Sequence, residues 1–319
     1  MEGSGKSYTG IRYGDTMEKY DVVNIADIFA DIVVTGQEKP AFGQVETLAD
    51  DYEAELGGSG PIFASQFAKL GGRVAVLTVI GNDLLGDFVL RRMNQVGIDT
   101  SLVRRSNRHK TPLGLNMSVK GDRSMLTVLG TLQEITPDLV KGLDLGSIKH
   151  WHIAGYFLLP ALFPFWPKFL RQLKDRGITI SIDTNWSPEG NWEEVAKILP
   201  LIDLFLPNEQ EAMAITKTEN YKAAGEQLTT MTGTVVIKRG EEGASVFSDG
   251  REHITTVAEH WNGKVHLVDT TGAGDSFDGG YLFEWLRGAP VEKCLKTGIL
   301  CGTSCVLGTG GLQSQYQPS

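Results

Sequence analysis

In Val268-Asp269-Thr270-Thr271-Gly272-Ala273-Gly274-Asp275-Ser276-Phe277 a strand-like piece turns into a helix-like one. Val265-His266-Leu267-Val268 leads in as a short apolar strand. The spacing of Phe277, Tyr281, Leu282, Phe283, Trp285 and Leu286 predicts a helix over 274–287. Glycines on both sides of Ala273 let the backbone bend and let a ligand approach the main chain. The first N–H groups of a helix lack internal partners, and the helix dipole adds partial positive charge there. Such an end holds anions, phosphate above all. Asp275 is the odd member, because a carboxylate repels a bare phosphate. Either it is an ordinary capping Asp, or it faces a hydroxyl that attacks the phosphate.

Working outward, the 319 residues allow one large α/β domain or two ordinary ones, and 41% hydrophobic content allows a sizeable core. The net charge of −9 disfavours general binding to nucleic acid or anionic membranes. An anion must therefore be held by local donors. No apolar signal region or membrane-length run is present, and cysteines are few, which together suggest a reducing cytoplasm. Cys294, Cys301 and Cys305 fall on one helix face and read as buried free thiols.

Residues 1–19 read as a flexible polar tail. Its Gly3-Ser4-Gly5-Lys6-Ser7 is no P-loop, since the earlier glycine and the preceding strand are missing. Tyr20–Ile25 is a strand, and Ile32-Val33-Val34 begins another. Gly57-Gly58-Ser59-Gly60-Pro61 opens a helix capped by Ser59 or Gly60, carrying Phe63, Phe67 and Leu70 to Gly71-Gly72. Val74–Ile80 reads as one strand covered on both faces, followed by a helix over 84–96. Residues 111–130 alternate strictly (Leu113, Leu115, Met117, Val119) around a turn at 120–123, a hairpin that forms a small separate sheet with 33–56. From 150 onward, strands at 150–154, 178–182, 203–206 and 234–238 alternate with helices at 167–176, 192–198, 209–215, 221–231, 274–287 and 290–307. This is the pattern of a doubly wound α/β fold, a mostly parallel sheet with helices on both faces. Strands at 243–247 and 252–256 break the pattern late.

In such folds ligands sit at the carboxyl ends of the strands. Asp27 and Asp31, Gly57-Gly58, Asp183-Thr184-Asn185, Asn208-Glu209-Gln210-Glu211, Lys238-Arg239-Gly240 and Asp275 all fall there. A dinucleotide-dependent oxidoreductase is disfavoured. Phe277 stands where its third fingerprint glycine belongs after Gly272-Ala273-Gly274, as does Phe63 after Gly58-Ser59-Gly60.

Together these residues resemble the ribokinase-like (phosphofructokinase-B type) carbohydrate kinases, from about Tyr20 to about Gly311. Asp269–Phe277 looks like the family's second signature. Gly57-Gly58 through Ala64, Ala68, Leu70-Gly71, Gly81-Asn82-Asp83, Gly86 and Gly97-Ile98-Asp99 is similar to the first, and Asn208–Glu211 to its Asn-x-x-Glu element. The resemblance implies an ATP-dependent sugar kinase: a single domain over 20–319 with a β lid built from about 33–56 and 107–130. It implies Asp275 as the base facing the sugar hydroxyl, and Gly272, Ala273 and Gly274 as an anion hole. Asp31, Gly57 and Gly58 would grip the sugar. Lys238, Gly240 and Gly243 would border the nucleotide, and Asn208 and Glu211 would organise Mg2+ through water. Asp269 and Thr271 would help hold a monovalent cation such as K+. A homodimer through the lid is a further implication.

One departure stands out. The family usually has Asn five residues after the first glycine of its Gly-Gly pair, and here that residue is Ile62. Either the sugar lacks the matching hydroxyl or the pocket is partly apolar there. Residues 182–188 with Trp192 resemble sugar-kinase members more than nucleoside-kinase members. A nucleoside (adenosine-type) kinase and a non-catalytic sugar sensor on the same fold stay open as alternatives. The dipole of its helix is expected to lower Asp275 below the usual carboxylate range.

Overall fold

The computed structural model describes residues 19–119, 122–256 and 267–318. Of the expected tail, all but Lys19 lies outside them. Strand β1 (Tyr20–Ile25) runs through three residues into β2 (Phe29–Gly36), and β3 (Asp51–Gly57) returns beside β2. Helix α1 (Ser59–Lys69) follows at once. Its N-cap is Gly58, not Ser59 or Gly60, because the chain needs φ 96° there to leave β3.

The apolar run 74–80, expected as one strand, is two. Strand β4 (Val74–Leu77) pairs with β1, and β5 (Val79–Gly81) leaves the sheet. Thr78 makes the break. Its hydroxyl donates to Ala26 O at 3.2 Å, and its carbonyl accepts from Arg104 N. After α2 (Leu84–Gln95), β5 gains β6 (Arg104–Ser106) as a parallel partner. The expected hairpin is present as β7 (Leu113–Val119) and β8 (Asp122–Val128). Its turn at 120–121 lies outside the described residues. The small sheet has the order β3-β2-β7-β8.

The second half supplies β9 (Ile148–Ile153), α3 (Trp166–Lys174), β10 (Thr179–Ile182), α4 (Glu193–Ala196), β11 (Leu204–Phe205), α5 (Glu209–Thr216), α6 (Tyr221–Leu228) and β12 (Thr234–Lys238). Then come β13 (Ala244–Ser248), β14 (Arg251–Thr256), α7 (Ala273–Trp285) and α8 (Val291–Cys305). The large sheet has the order β14-β13-β12-β11-β10-β9-β1-β4, parallel from β12 to β4 and antiparallel only at β13 and β14. Leu267 and Val268 are exposed and outside any strand, contrary to the expected lead-in. Val268 N–H donates instead to Val306 O at the end of α8. Residues 265–266 lie outside the described residues.

Alternate residues of the large sheet feed two cores, as a strand period of two requires. Val23, Ile25, Trp151, Ile153, Ile180 and Ile182 pack under α3, α5 and α6. Val22, Val74, Val76, Leu204, Leu206 and Val236 pack under α1, α7 and α8. Helix α7 is buried almost all round. Methyl groups on its Gly279 and Gly280 would lie 2.9 Å from Phe63 O and 2.7 Å from Cys301 Sγ, so α1 and α8 close tightly on it. The three cysteines are free and buried, as expected.

Candidate active site

The strand ends converge on the start of α7. Gly272 caps that helix with φ 74° and no side-chain cap. A methyl group on it would lie 2.9 Å from Ile62 Cγ2 and 2.8 Å from Gly311 Cα. Ile62 is therefore no open pocket wall. It is buried beneath this turn and props it. The N–H groups of Gly272, Gly274 and Asp275 have no partner among the described residues, while that of Ala273 donates to Thr270 O at 3.3 Å. Asp269 closes the preceding loop: Oδ1 accepts from the N–H and hydroxyl of Thr271, and Oδ2 from Gly310 N.

A cavity of about 560 Å³ opens over this turn. It is lined by Asp183, Asn185, Asn208, Glu211, Lys238, Gly240, Gly243, Ala273, Gly274 and Asp275, all singled out from the sequence, and also by Trp186, Thr270, Ile299, Thr303 and Val306. Asn208 and Glu211 form a complete capping box on α5. Asn208 Oδ1 accepts from Glu211 N, and Glu211 Oε2 accepts from Asn208 N, both at 2.9 Å. This leaves Glu211 Oε1 for the cavity. Burial, and then the charge of Asp183, push Glu211 up to about 7.

Asp31, Gly57 and Gly58 do not line that cavity. They form an adjoining group on β2 and β3. Asp31 is held between two glycines. A methyl group on Gly57 would lie 1.9 Å from Oδ2, and one on Gly114 2.2 Å from Oδ1. Gly114 carried no sequence signal, being one more residue of an alternating strand. Burial, and then Asp27, push Asp31 up to about 6. Asp27 links the two groups. Its Oδ2 accepts from Ser59 N at 3.3 Å, and Ser59 Oγ accepts from the Nδ2 of Asn185 in the cavity wall at 2.7 Å. Asp27 Oδ1, Asn24 Oδ1, Thr184 Oγ1 and Asn185 Oδ1 are buried without a partner among the described residues, an unusual concentration of unmet polar atoms for a protein interior.

Asp275 departs from its expected acidity. Burial raises it well above the usual carboxylate range. The charges of Asp183, Asp27 and Glu211 add to that rise, and Lys238 only partly opposes them. Burial and these three carboxylates together outweigh the dipole, because the helix end contributes only about half a charge.

A helix start with unpartnered N–H groups and a carboxylate in its first turn, opening on a polar cavity, fits a phosphotransferase with an alcohol group as acceptor. A family model for the pfkB family of carbohydrate kinases matches residues 17–317, and the chain belongs to that family. It is 25% identical to a deoxyribokinase of Salmonella typhi over 308 residues, covering 93% of this chain and 95% of that one. A ribokinase II candidate from E. coli, solved with ATP and Mg2+, superposes with a TM-score of 0.81 at 23% identity, covering 93% of this chain and 96% of the other. An adenosine kinase from Sinorhizobium meliloti superposes with a TM-score of 0.77 at 23% identity, covering 93% and 97%. These two structures share the fold. Among the described residues no helix is long and apolar enough to cross a membrane.

Proposed function

We propose that the chain transfers the γ-phosphoryl group of ATP to a hydroxyl of a sugar. The observation that carries this reading is Asp275 in the first turn of α7, beside N–H groups with no partner among the described residues. Phosphoryl transfer asks a protein mainly for positioning and charge stabilisation. Gly272 and Gly274 offer N–H donors to the transferring group, and Ala273 joins them if its 3.3 Å bond to Thr270 O gives way, each such donor being worth about 10²–10³ in rate. Asp275 orients the attacking hydroxyl and takes its proton, and its raised affinity for a proton suits it to that task near neutral pH. Asp31, with Gly57 and Gly58 at its side, accepts hydrogen bonds from the sugar.

Lys238, Gly240 and Gly243 border the nucleotide, whose ATP identity is supported by the ATP and Mg2+ complex of the E. coli relative. Asn208 and Glu211 supply hard oxygen donors for magnesium. Magnesium bound through one or two such donors keeps several of its waters. Magnesium bound there would offset the negative charge of the phosphate chain. Asp269 and Thr271 organise the loop at which a monovalent cation such as K+ would sit.

The small sheet acts as a lid over the sugar and as a dimer surface. Met125 and Leu126 are neighbours on its edge strand β8, so they point to opposite faces, yet both are more than half exposed.

A nucleotide-consumption screen tests the function. Ketohexoses, pentoses, sugar acids, sugar phosphates and nucleosides are offered with ATP and Mg2+, with and without K+. At least one sugar should drive consumption. Consumption driven by nucleosides alone would replace the reading with a nucleoside kinase, and consumption driven by nothing would leave a sugar sensor.

A further inference from the structure

Lys238 is almost fully buried between two carboxylates. Its Nζ lies 2.8 Å from Asp183 Oδ2 and 2.9 Å from Asp278 Oδ2. Asp183 stands at the end of β10, and Asp278 lies three residues beyond Asp275 on α7, one turn deeper and fully buried. The backbone at Lys238 is fixed as well, since its N–H donates to Pro207 O and it bridges to Asn208. The ammonium lies beside Gly274, where an added methyl group would stand 3.4 Å from Nζ. An ammonium has three N–H donors. Two are taken, the third has no partner among the described residues, and Lys238 lines the cavity.

Stability does not call for this arrangement. Buried ion pairs commonly do no better than well-packed apolar groups of the same size. Two carboxyl groups on one cation leave it no spare positive charge next to a turn that should receive an anion. Their effect is geometric: they restrict a side chain that otherwise has four freely rotating bonds.

We propose that Asp278 is a positioning residue, which together with Asp183 aims the third N–H of Lys238 at the outer phosphates of the nucleotide beside Gly274. The proposal rests on the phosphotransfer reading of the site and deepens it. It assigns the lysine to the phosphate chain rather than to the nucleoside, and gives Asp278 a role without contact with either substrate. An acidic chain thereby holds one fixed cation at the phosphates.

The test is calorimetric titration of wild type, Lys238→Met and Asp278→Asn with two ligands, AMP and the β,γ-imido analogue of ATP, in the presence of Mg2+. Lys238→Met should weaken binding of the triphosphate about ten- to a hundredfold, the range for a hydrogen bond to a charged group. Asp278→Asn should weaken it about three- to tenfold. AMP should bind all three proteins within about twofold, since the charge contact it lacks is the one removed. A variant that loses both ligands equally, or neither, would overturn the proposal, and either variant alone decides it if the other fails to fold. If wild type bound neither ligand, the phosphotransfer reading itself would fall, and this proposal with it.

Discussion

A methyl group on Gly57 would lie 1.9 Å from Asp31 Oδ2, closer than any real contact between such atoms. The glycine and the carboxylate occupy one space, on two adjacent strands paired Phe29 to Gly57 and Asp31 to Glu55. Gly57→Ala must therefore move Asp31. We expect the KM for the sugar to rise at least about tenfold, the cost of one displaced charged hydrogen bond. The KM for ATP should stay within about twofold. Steady-state kinetics with each substrate varied in turn checks this, and an equal rise in both would mean that Asp31 does not serve the sugar.

The acidity of Asp31 makes a second prediction. Its carboxyl moves from an ordinary value of 3.8 to about 6 in the folded chain, chiefly through burial. A raised carboxyl favours its proton when folded. The resulting stability is complete below about pH 4 and is lost as pH rises through about 6. Asp31→Asn should therefore stabilise the fold at pH 8, by at most about 3 kcal/mol and seen as a higher melting temperature, and have less effect at pH 5. Sugar affinity should run the other way in wild type, weakening as pH falls below about 6 because the protonated carboxyl loses an acceptor. Equal melting shifts at both pH values would contradict the assignment.

Asp275→Asn should fold normally and lose most of its turnover, about 10²–10⁴, the usual contribution of a general base. The rate of wild type should fall on acidification at a pH above the ordinary carboxylate range, because burial and its carboxylate neighbours raise Asp275. A variant that keeps more than about a tenth of the rate would remove Asp275 from the base role.

Glu211→Gln separates a cap from a metal role. The amide oxygen of Gln still accepts from Asn208 N, so the capping box survives. Glu211 lies at about 7, so a neutral replacement resembles a state the native group already populates. The melting temperature should shift by no more than about 2 °C. The magnesium concentration for half activity should rise about tenfold, as expected when one charged ligand is removed. An unchanged magnesium requirement would leave Glu211 as a cap alone.

What was legible in the sequence was local. The turn before Phe277, the Gly57-Gly58 pair and the Asn208–Glu211 box each sit within a few residues, and their spacing carries their geometry. The 113–128 hairpin was legible from its period of two. What was not legible depends on contacts across the chain. Lys238 meets partners 55 and 40 residues away, and Asp278, set beside two glycines, reads as an ordinary interior position. The proton affinity of Asp275 is set by burial and by charged residues on four other segments, which oppose and outweigh the local helix dipole. The place of Ile62 under the α7 turn depends on Gly272 and Gly311, which lie more than two hundred positions on. The break at Thr78 depends on Ala26, which the apolar run cannot reveal.

The chain passes from the large sheet to the small one in three residues, Ala26-Asp27-Ile28, and Asp31 stands on the far side of that joint. Four extended residues from Asp27 to Asp31 make an arm of about 13 Å, so a hinge motion of about ten degrees would sweep the carboxylate through about 2 Å. Asp275 belongs to α7, on the other side of the joint. A hinge at this joint would act as a gear, turning a small angular change in a β-sheet into a distance comparable to the length of a hydrogen bond.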